Sequence, residues 1–221
     1  MRLFKATPLA CVCVVLIFFP APARADWLLS LYTGAAATSS NTLTVTPASG
    51  SPLTLDNVEY RGASSKSPIY YGYRVGFTPR GSRVGIEAEF THAKAIAVDT
   101  HSTDLTAFQM THGLNFVLGN VVFRSQPVGT GRVVLTARGG AGFTVPHVEG
   151  IFRGNEVSEY QNGGFGAQGT VGVEAQIVGR LYAIADARLT YARVRVDVPP
   201  AAVGGGFTTR HVDFGVAVHL P

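Results

Sequence analysis

The chain has 221 residues, of which 46% are hydrophobic, 26 are Gly and only 14% are charged. Its 18 Lys and Arg against 14 Asp and Glu form no dense basic block, which excludes the phosphate-binding surface of a nucleic-acid partner. A positive mean hydropathy of +0.21 with no apolar run of about 18 residues beyond the N-terminal segment excludes a helical membrane span in the remainder. This composition demands either a large core or an apolar solvent.

At the N-terminus Arg2 and Lys5 precede the apolar run "LACVCVVLIFF", and "APARA" follows with small residues at Ala23 and Ala25. This is the pattern of a secretory signal peptide over residues 1–25, cleaved after Ala25. The run is short for a spanning helix of about 20 residues, and Pro20 and Pro22 interrupt it. Cys11 follows "PLA", a poor lipobox, and lies inside the signal's apolar core, so a lipoprotein is not expected. Removing Arg2, Lys5 and Arg24 leaves 15 basic against 14 acidic residues in a mature chain of 196, residues 26–221. Both cysteines leave with the signal, so no disulfide or thiol chemistry is available to the mature chain. A single domain is expected, since no interior segment reads as a linker.

Eight strands follow. The first spans 27–37. In the second, "PIYYGYRVGFTPR" at 68–80, Ile69, Tyr71, Tyr73, Val75 and Phe77 alternate with Tyr70, Gly72, Arg74, Gly76 and Thr78, so apolar and small or polar residues take opposite faces. The third, "VGIEAEFTH", sets Val84, Ile86, Ala88 and Phe90 against Gly85, Glu87, Glu89 and Thr91. Candidates at 107–123 and 132–144 come next, then "FGAQGTVGVEAQI" at 165–177, a strand at 180–195, and "HVDFGVAVHL" at 211–220 with Val212, Phe214, Val216, Val218 and Leu220 on one side. Most run about 11 residues or longer, the length of a tilted membrane strand and about twice that of a typical soluble one. The connections alternate long and short: 38–67, 79–82, 95–106, 124–131, 145–164, 178–180 and 196–207. An up-and-down barrel with both termini at one end generates that alternation. The expected fold is therefore all-β, an eight-stranded antiparallel up-and-down transmembrane barrel. A soluble lipocalin-like barrel would turn the apolar face inward instead; the low charge and many Gly of the polar face, the strand lengths and the loop asymmetry favour the membrane.

The mature chain resembles the small outer-membrane β-barrel proteins of Gram-negative bacteria, the OmpA/OmpX-like group, in its signal peptide, eight strands and alternating last strand "HVDFGVAVHL". Members usually end that strand on an aromatic residue, whereas this chain ends Leu220-Pro221. The resemblance implies an outer-membrane location, contact with outer-membrane lipid and lipopolysaccharide, insertion by the barrel-assembly machinery, and four exposed loops open to an unidentified ligand. Family members are structural, adhesive, enzymatic or channel-forming, so the fold does not select among these.

The polar face carries Arg74, Glu87, Glu89, Arg138, Glu174, Asp186, Arg188 and Asp213. These are expected to fill the interior as a salt-bridge network, with Arg74 directly opposite Glu87 if the turn centres on Arg80 and Gly81. The alternative is the lining of a narrow channel. Tyr71, Tyr73, Phe77, Phe90 and Phe214 are expected to face lipid, as are Phe108, Met110 and Leu114, which share one phase of the strand 107–123. The deacylases that modify lipid A share this architecture and pair a His with a Ser two residues on; in "MTHGLN" His112 is followed there by Leu114, so the nucleophile is missing and no catalytic residue is assigned. His92 and His112 could face one another across the outer hairpin. His211 and Asp213 at i and i+2 supply too few ligands for a metal. "RGGAGF" and "GGG" precede no helix and read as inward Gly and a flexible outer loop, not phosphate loops. No cofactor is expected.

Overall fold

The computed structural model describes residues 26–220, so the signal-peptide reading lies outside the described residues. Fifteen strands follow in chain order: β1 (Asp26–Thr38), β2 (Asn41–Pro47), β3 (Leu53–Val58), β4 (Tyr60–Arg61), β5 (Tyr71–Thr78), β6 (Val84–His92), β7 (Ala95–Ala97), β8 (Leu105–Met110), β9 (Phe116–Arg124), β10 (Val133–Thr144), β11 (His147–Phe152), β12 (Asn155–Tyr160), β13 (Gly164–Val178), β14 (Leu181–Val198) and β15 (Ala201–Leu220). Eight of them, β1, β5, β6, β9, β10, β13, β14 and β15, pair antiparallel in that order. Pairing of β15 back onto β1, from Trp27 opposite Leu220 to Thr38 opposite Thr209, closes the barrel.

Closure decides which face is which. On β1, Leu28, Ser30 and Tyr32 are buried while Leu29 and Leu31 are 46% and 59% exposed; on β6, Glu87 and Glu89 are buried while Ile86 is exposed. The apolar face thus points outward and the polar face inward, the reverse of a soluble barrel. Leu29, Ile86, Val121, Val171, Leu189 and Phe214 come from six different barrel strands, and all are exposed. A surface this apolar on every side exceeds the patches that water-facing monomers tolerate and matches the outer band of a membrane barrel. Its height fits as well: Val212 to Leu220 on β15 spans 9 residues with every outward position apolar, and a tilted membrane strand needs about 9–11.

Aromatic contacts mark both edges of the band. Near the chain ends Trp27 and Phe77 meet edge to face at 5.3 Å. Toward the other end Tyr73 stacks on Phe90 at 5.2 Å, and Tyr71 lies 6.0 Å from Phe90. On β14 the outward positions change from Leu189 and Tyr191 to exposed Arg193 and Arg195, where lipid gives way to head groups and water.

The turns near the chain ends are short, and the opposite end is not a set of loops. The segment expected as a polar loop, 38–67, contains β2, β3 and β4; the expected loop 145–164 is the β11–β12 hairpin. The expected loop 196–207 shrinks to a turn at Pro199-Pro200, because β14 and β15 continue paired to Val198 opposite Ala201. The Gly204–Gly206 run is therefore strand, with β2 paired along it, and Gly205 is required there because a Cβ would lie 2.7 Å from Leu43 Cδ2. The expected strand 107–123 is two strands, β8 and β9, separated where Gly113 and Asn115 adopt positive φ.

These extra strands form a cap. β2 and β3 extend the barrel sheet beside β15, and a separate five-stranded sheet runs β12-β11-β8-β7-β4. Both sheets contribute to one apolar core: Leu43, Val45, Val196 and Phe207 from one side, Phe108 and Phe152 from the other, all buried. Phe108, Met110 and Leu114, expected to face lipid, are instead inside this core. Phe152→Ala removes a fully buried ring at its centre and should cost the cap about 3–5 kcal/mol. Limited proteolysis should then cut within residues 145–160 while the barrel fragment stays resistant; equal resistance of variant and wild type would show that the cap does not depend on this core.

Candidate functional site

The lumen is filled by charge. On β6 Glu89 is the hub: Tyr32 Oη donates to its Oε1 at 2.6 Å, Arg74 Nε at 2.9 Å and Arg188 Nη1 at 2.8 Å, while Asn120 Nδ2 donates to Oε2 at 2.8 Å and Gln168 Nε2 also donates there. Arg138 is a second hub, with Nε on Glu87 Oε2 at 2.8 Å, Nη1 on Asp186 Oδ1 at 3.1 Å and Nη2 on Glu174 Oε1 at 3.1 Å. Arg74 Nη1 bridges to Asp186 Oδ2 at 2.7 Å, and Arg188 Nη2 lies 2.8 Å from Asp213 Oδ2. The guanidinium of Arg74 also lies over the Tyr32 ring, 4.4 Å from its centroid, a cation–π contact.

The structure brings all eight sequence-selected charged residues into this one buried lattice, with one correction to their pairing. Arg74 stands opposite Glu89, and Gly76 opposite Glu87. The turn centres on Arg80 and Gly81 as expected, with Ser82 N bonded to Pro79 O, but Ser82 and Arg83 stand outside the ladder before β6 begins at Val84, with Ser82 Oγ bonded to the Val84 backbone, and these two extra residues move the partner of Arg74 by two positions on the same face. Glu87 is held by Arg124 and Arg138 instead. Of the selected aromatics, Tyr73 and Phe214 are exposed on the outer face, and Tyr71, Phe77 and Phe90 are half-buried there by their aromatic neighbours.

Sequence reading missed Tyr32, Tyr70, Asn120, Arg124 and Gln168 as members of the lattice. The period-two signal held most of them: Tyr32 and Tyr70 lie in phase with Ser30 and Arg74. Tyr70 Oη donates to Asp213, and His211 lies between Tyr70 Oη at 3.0 Å and Thr190 Oγ1 at 2.9 Å, so His211 and Asp213 belong to the lattice and not to a metal site. Space for the Tyr32 ring depends on Gly72, where a Cβ would lie 2.2 Å from Tyr32 Cζ.

Directly outward of the lattice the same inward-facing positions turn apolar. Asn120 is followed toward the outer end by Leu118 and Phe116, Thr190 by Ala192 and Val194, and Thr209 by Phe207, all buried in the cap core. Water therefore meets a dry layer before it meets the charges.

A second cluster lies at the outer rim. His112, in the turn after β8, has Nδ1 3.2 Å from Glu149 Oε1, and His147 Nδ1 is 3.4 Å from the same oxygen. Thr111 Oγ1 donates to that oxygen and lies 3.1 Å from His112 Nδ1. A groove of about 420 Å³ runs beside them, lined by Tyr71, Phe90, His92, His112, Val117 and Tyr160 among others; His92 and His112 are thus two walls of one groove. Nearby, Lys94 Nζ donates to the Lys66 and Ser67 carbonyls at 3.0 and 3.1 Å, and burial, reinforced by the Lys66 charge, holds its ammonium below the usual lysine pKa.

No protein-family model matches the sequence, and no curated protein matches it. Among solved structures, Neisserial surface protein A is similar at 10% identity, over 88% of this chain and 97% of that one, with a TM-score of 0.45. Ail, the attachment invasion locus protein of Yersinia pestis, is similar at 13% identity, over 86% of this chain and 97% of that one, with a TM-score of 0.33. Ail in complex with the heparin analogue sucrose octasulfate covers 85% of this chain and 98% of that one at 14% identity, with a TM-score of 0.33.

Two substitutions grade the lattice. Arg74→Met strands Glu89 and Asp186 beside one another's remaining partners and should destabilise the folded barrel by about 3–5 kcal/mol. Gly72→Val displaces the Tyr32 ring and should cost about 1–3 kcal/mol. Urea-unfolding midpoints in detergent, read by tryptophan fluorescence of Trp27, check both; Arg74→Met no more costly than Gly72→Val would contradict the hub role.

Proposed function

We propose that this chain is a sealed outer-membrane barrel whose function is structural and is exerted at its surface, with the cap as the interaction platform. The observation that carries this reading is the double closure of the lumen: a lattice of four guanidiniums and five carboxylates, Arg74, Arg124, Arg138, Arg188, Glu87, Glu89, Glu174, Asp186 and Asp213, overlaid by an apolar core. An ion entering from outside would have to cross the dry layer and then displace pairs whose separation leaves charge unpaired in a buried site. A narrow channel finds no support in this arrangement. Within the membrane reading, lipopolysaccharide would meet the barrel at the level of Tyr191, Arg193 and Arg195, where exposed cations sit beside an aromatic ring, and the assembly machinery would engage the apolar-alternating β15 during insertion.

An enzymatic role lacks its geometry. Leu114 takes the place of the expected nucleophile and is buried in the cap core. Thr111 offers a hydroxyl beside His112, but its Oγ1 and Glu149 Oε1 both crowd the same ring nitrogen, Nδ1, and the hydroxyl donates to Glu149. A hydroxyl, base and carboxylate relay needs the hydroxyl on one imidazole nitrogen and the carboxylate on the other.

Planar-bilayer recording of the purified, folded protein tests the reading. Wild type should give no discrete conductance steps, and a variant in which residues 41–58 and 105–110 are replaced by short Gly/Ser linkers should remain silent, because the ionic lattice persists without the cap. Reproducible unit steps from folded wild type would overturn the sealed-barrel reading.

A further inference from the structure

We propose that His112, His147 and Glu149 form a binding site for one d-block divalent cation, of the zinc class, at the outer rim of the barrel. The proposal goes beyond the structural reading above and does not depend on whether the lumen conducts.

The site is built by two local features. On β11 the residues alternate, with Val148, Gly150 and Phe152 buried toward the cap core and His147 and Glu149 on the opposite face, so positions i and i+2 present an imidazole and a carboxylate side by side. The turn after β8, which ends in the positive φ of Gly113, brings His112 to the same place. One ligating atom from each of the three lies within 4.8 Å of the others.

Both nitrogen to oxygen separations are those of a coordination shell. Two bonds of about 2.0–2.1 Å meeting at a tetrahedral angle put the ligand atoms roughly 3.3–3.4 Å apart, and the two nitrogen to oxygen distances are 3.2 and 3.4 Å. Hydrogen bonding links Thr111, His112 and Glu149 but leaves His147 out. His147 Nδ1 is buried and has no hydrogen-bond partner, although Glu149 Oε1 is 3.4 Å away; a cation between them would give this nitrogen its partner. The His147 ring is fixed by an edge contact with Tyr160 at 4.6 Å and by His112 at 4.7 Å, so the shell is partly preorganised.

The donor set selects the metal. Two imidazoles and one carboxylate suit zinc and its neighbours and are poor for calcium or magnesium, which take oxygen shells. Three protein ligands leave a fourth position for water or an exogenous anion. His112 and Tyr160 also line the rim groove, so a head-group phosphate entering from the groove is the chemistry that position would accept.

The test uses the full chain, exported and purified from membranes in detergent, stripped with a chelator and titrated with Zn²⁺ against a chromophoric competitor. One saturable equivalent is expected. His112→Ala, His147→Ala and Glu149→Gln should each weaken it at least tenfold, His101→Ala should leave it unchanged, and Thr111→Val, which frees the Glu149 oxygen, should match or tighten it. Cobalt loading should give the intense visible bands of a tetrahedral N/O site, lost in His147→Ala. Each variant is first checked for the heat-modifiable mobility of a folded barrel, and Glu149→Gln alone decides the matter if the histidine variants do not fold. Absence of a stoichiometric equivalent in wild type, or an equivalent that survives Glu149→Gln undiminished, overturns the proposal.

Discussion

The structure depends on Glu89. A closed eight-stranded barrel has an interior about as wide as its side chains, and once the apolar face is committed to lipid, everything polar must be satisfied inside that space. One carboxylate with both oxygens occupied meets this requirement for five neighbours at once: Tyr32, Arg74, Asn120, Gln168 and Arg188 come from β1, β5, β9, β13 and β14 or their flanks, so one side chain on β6 ties most of the barrel wall together. Buried ion pairs contribute little net stability compared with apolar packing, but removing one partner is costly. The lattice therefore acts mainly to fix register: a slip of β5 against β6 by two residues would place Arg74 opposite Glu87 and take from Glu89 its Arg74 partner.

The cap follows from the same barrel by continuation. β14 and β15, 18 and 20 residues long, do not stop where the lipid band stops, and beyond it their inward faces change from Thr190 and Thr209 to Ala192, Val194 and Phe207. Beyond the membrane those faces have no lattice to join and must be covered, which β8 and β11 do from the opposite side with Phe108, Met110, Val148 and Phe152. A protruding hairpin of this length with an apolar inner face would be unstable alone. The second sheet is thus a physical consequence of strand extension, and it converts mobile loops into a surface with fixed geometry, including the rim where His112, His147 and Glu149 meet.

Much of the barrel was legible because a period of two is hard to mistake over ten residues. Glu87 and Glu89 declare the inner face of β6, and Val212, Phe214 and Val216 the outer face of β15, without reference to any partner. Register was less legible: the turn in "PRGS" centres on Arg80 and Gly81 as its sequence suggests, but Ser82 and Arg83 stay outside the ladder before β6 begins at Val84, and nothing in the alternation reveals that. The cap was read as loops because Ser, Thr, Gly and Pro outnumber its apolar residues, yet Leu43 and Val45, and Leu53 and Leu55, carry the same alternation in miniature. The break between β8 and β9 was hidden for the opposite reason. The apolar phase of Phe108, Met110 and Leu114 points to a continuous strand, and only the positive φ of Gly113 and Asn115 ends it.

The rim cluster was illegible for a further reason: its members are distant in sequence and none is unusual alone. His112 stands out as a candidate base, with Leu114 where a nucleophilic Ser would stand. Sequence could not place Glu149 and His147 beside it, since that requires knowing that residues 145–160 form a hairpin paired with β8 at Gln109 opposite Glu149. With the pairing known, Leu114 has a role of its own. Leu114 is packed in the cap core, and a polar side chain there would be buried without a partner; the apolar residue stabilises the turn that holds His112. The rim is thereby shaped by packing on one side and by imidazole and carboxylate chemistry on the other, the two features the proposed cation site draws on.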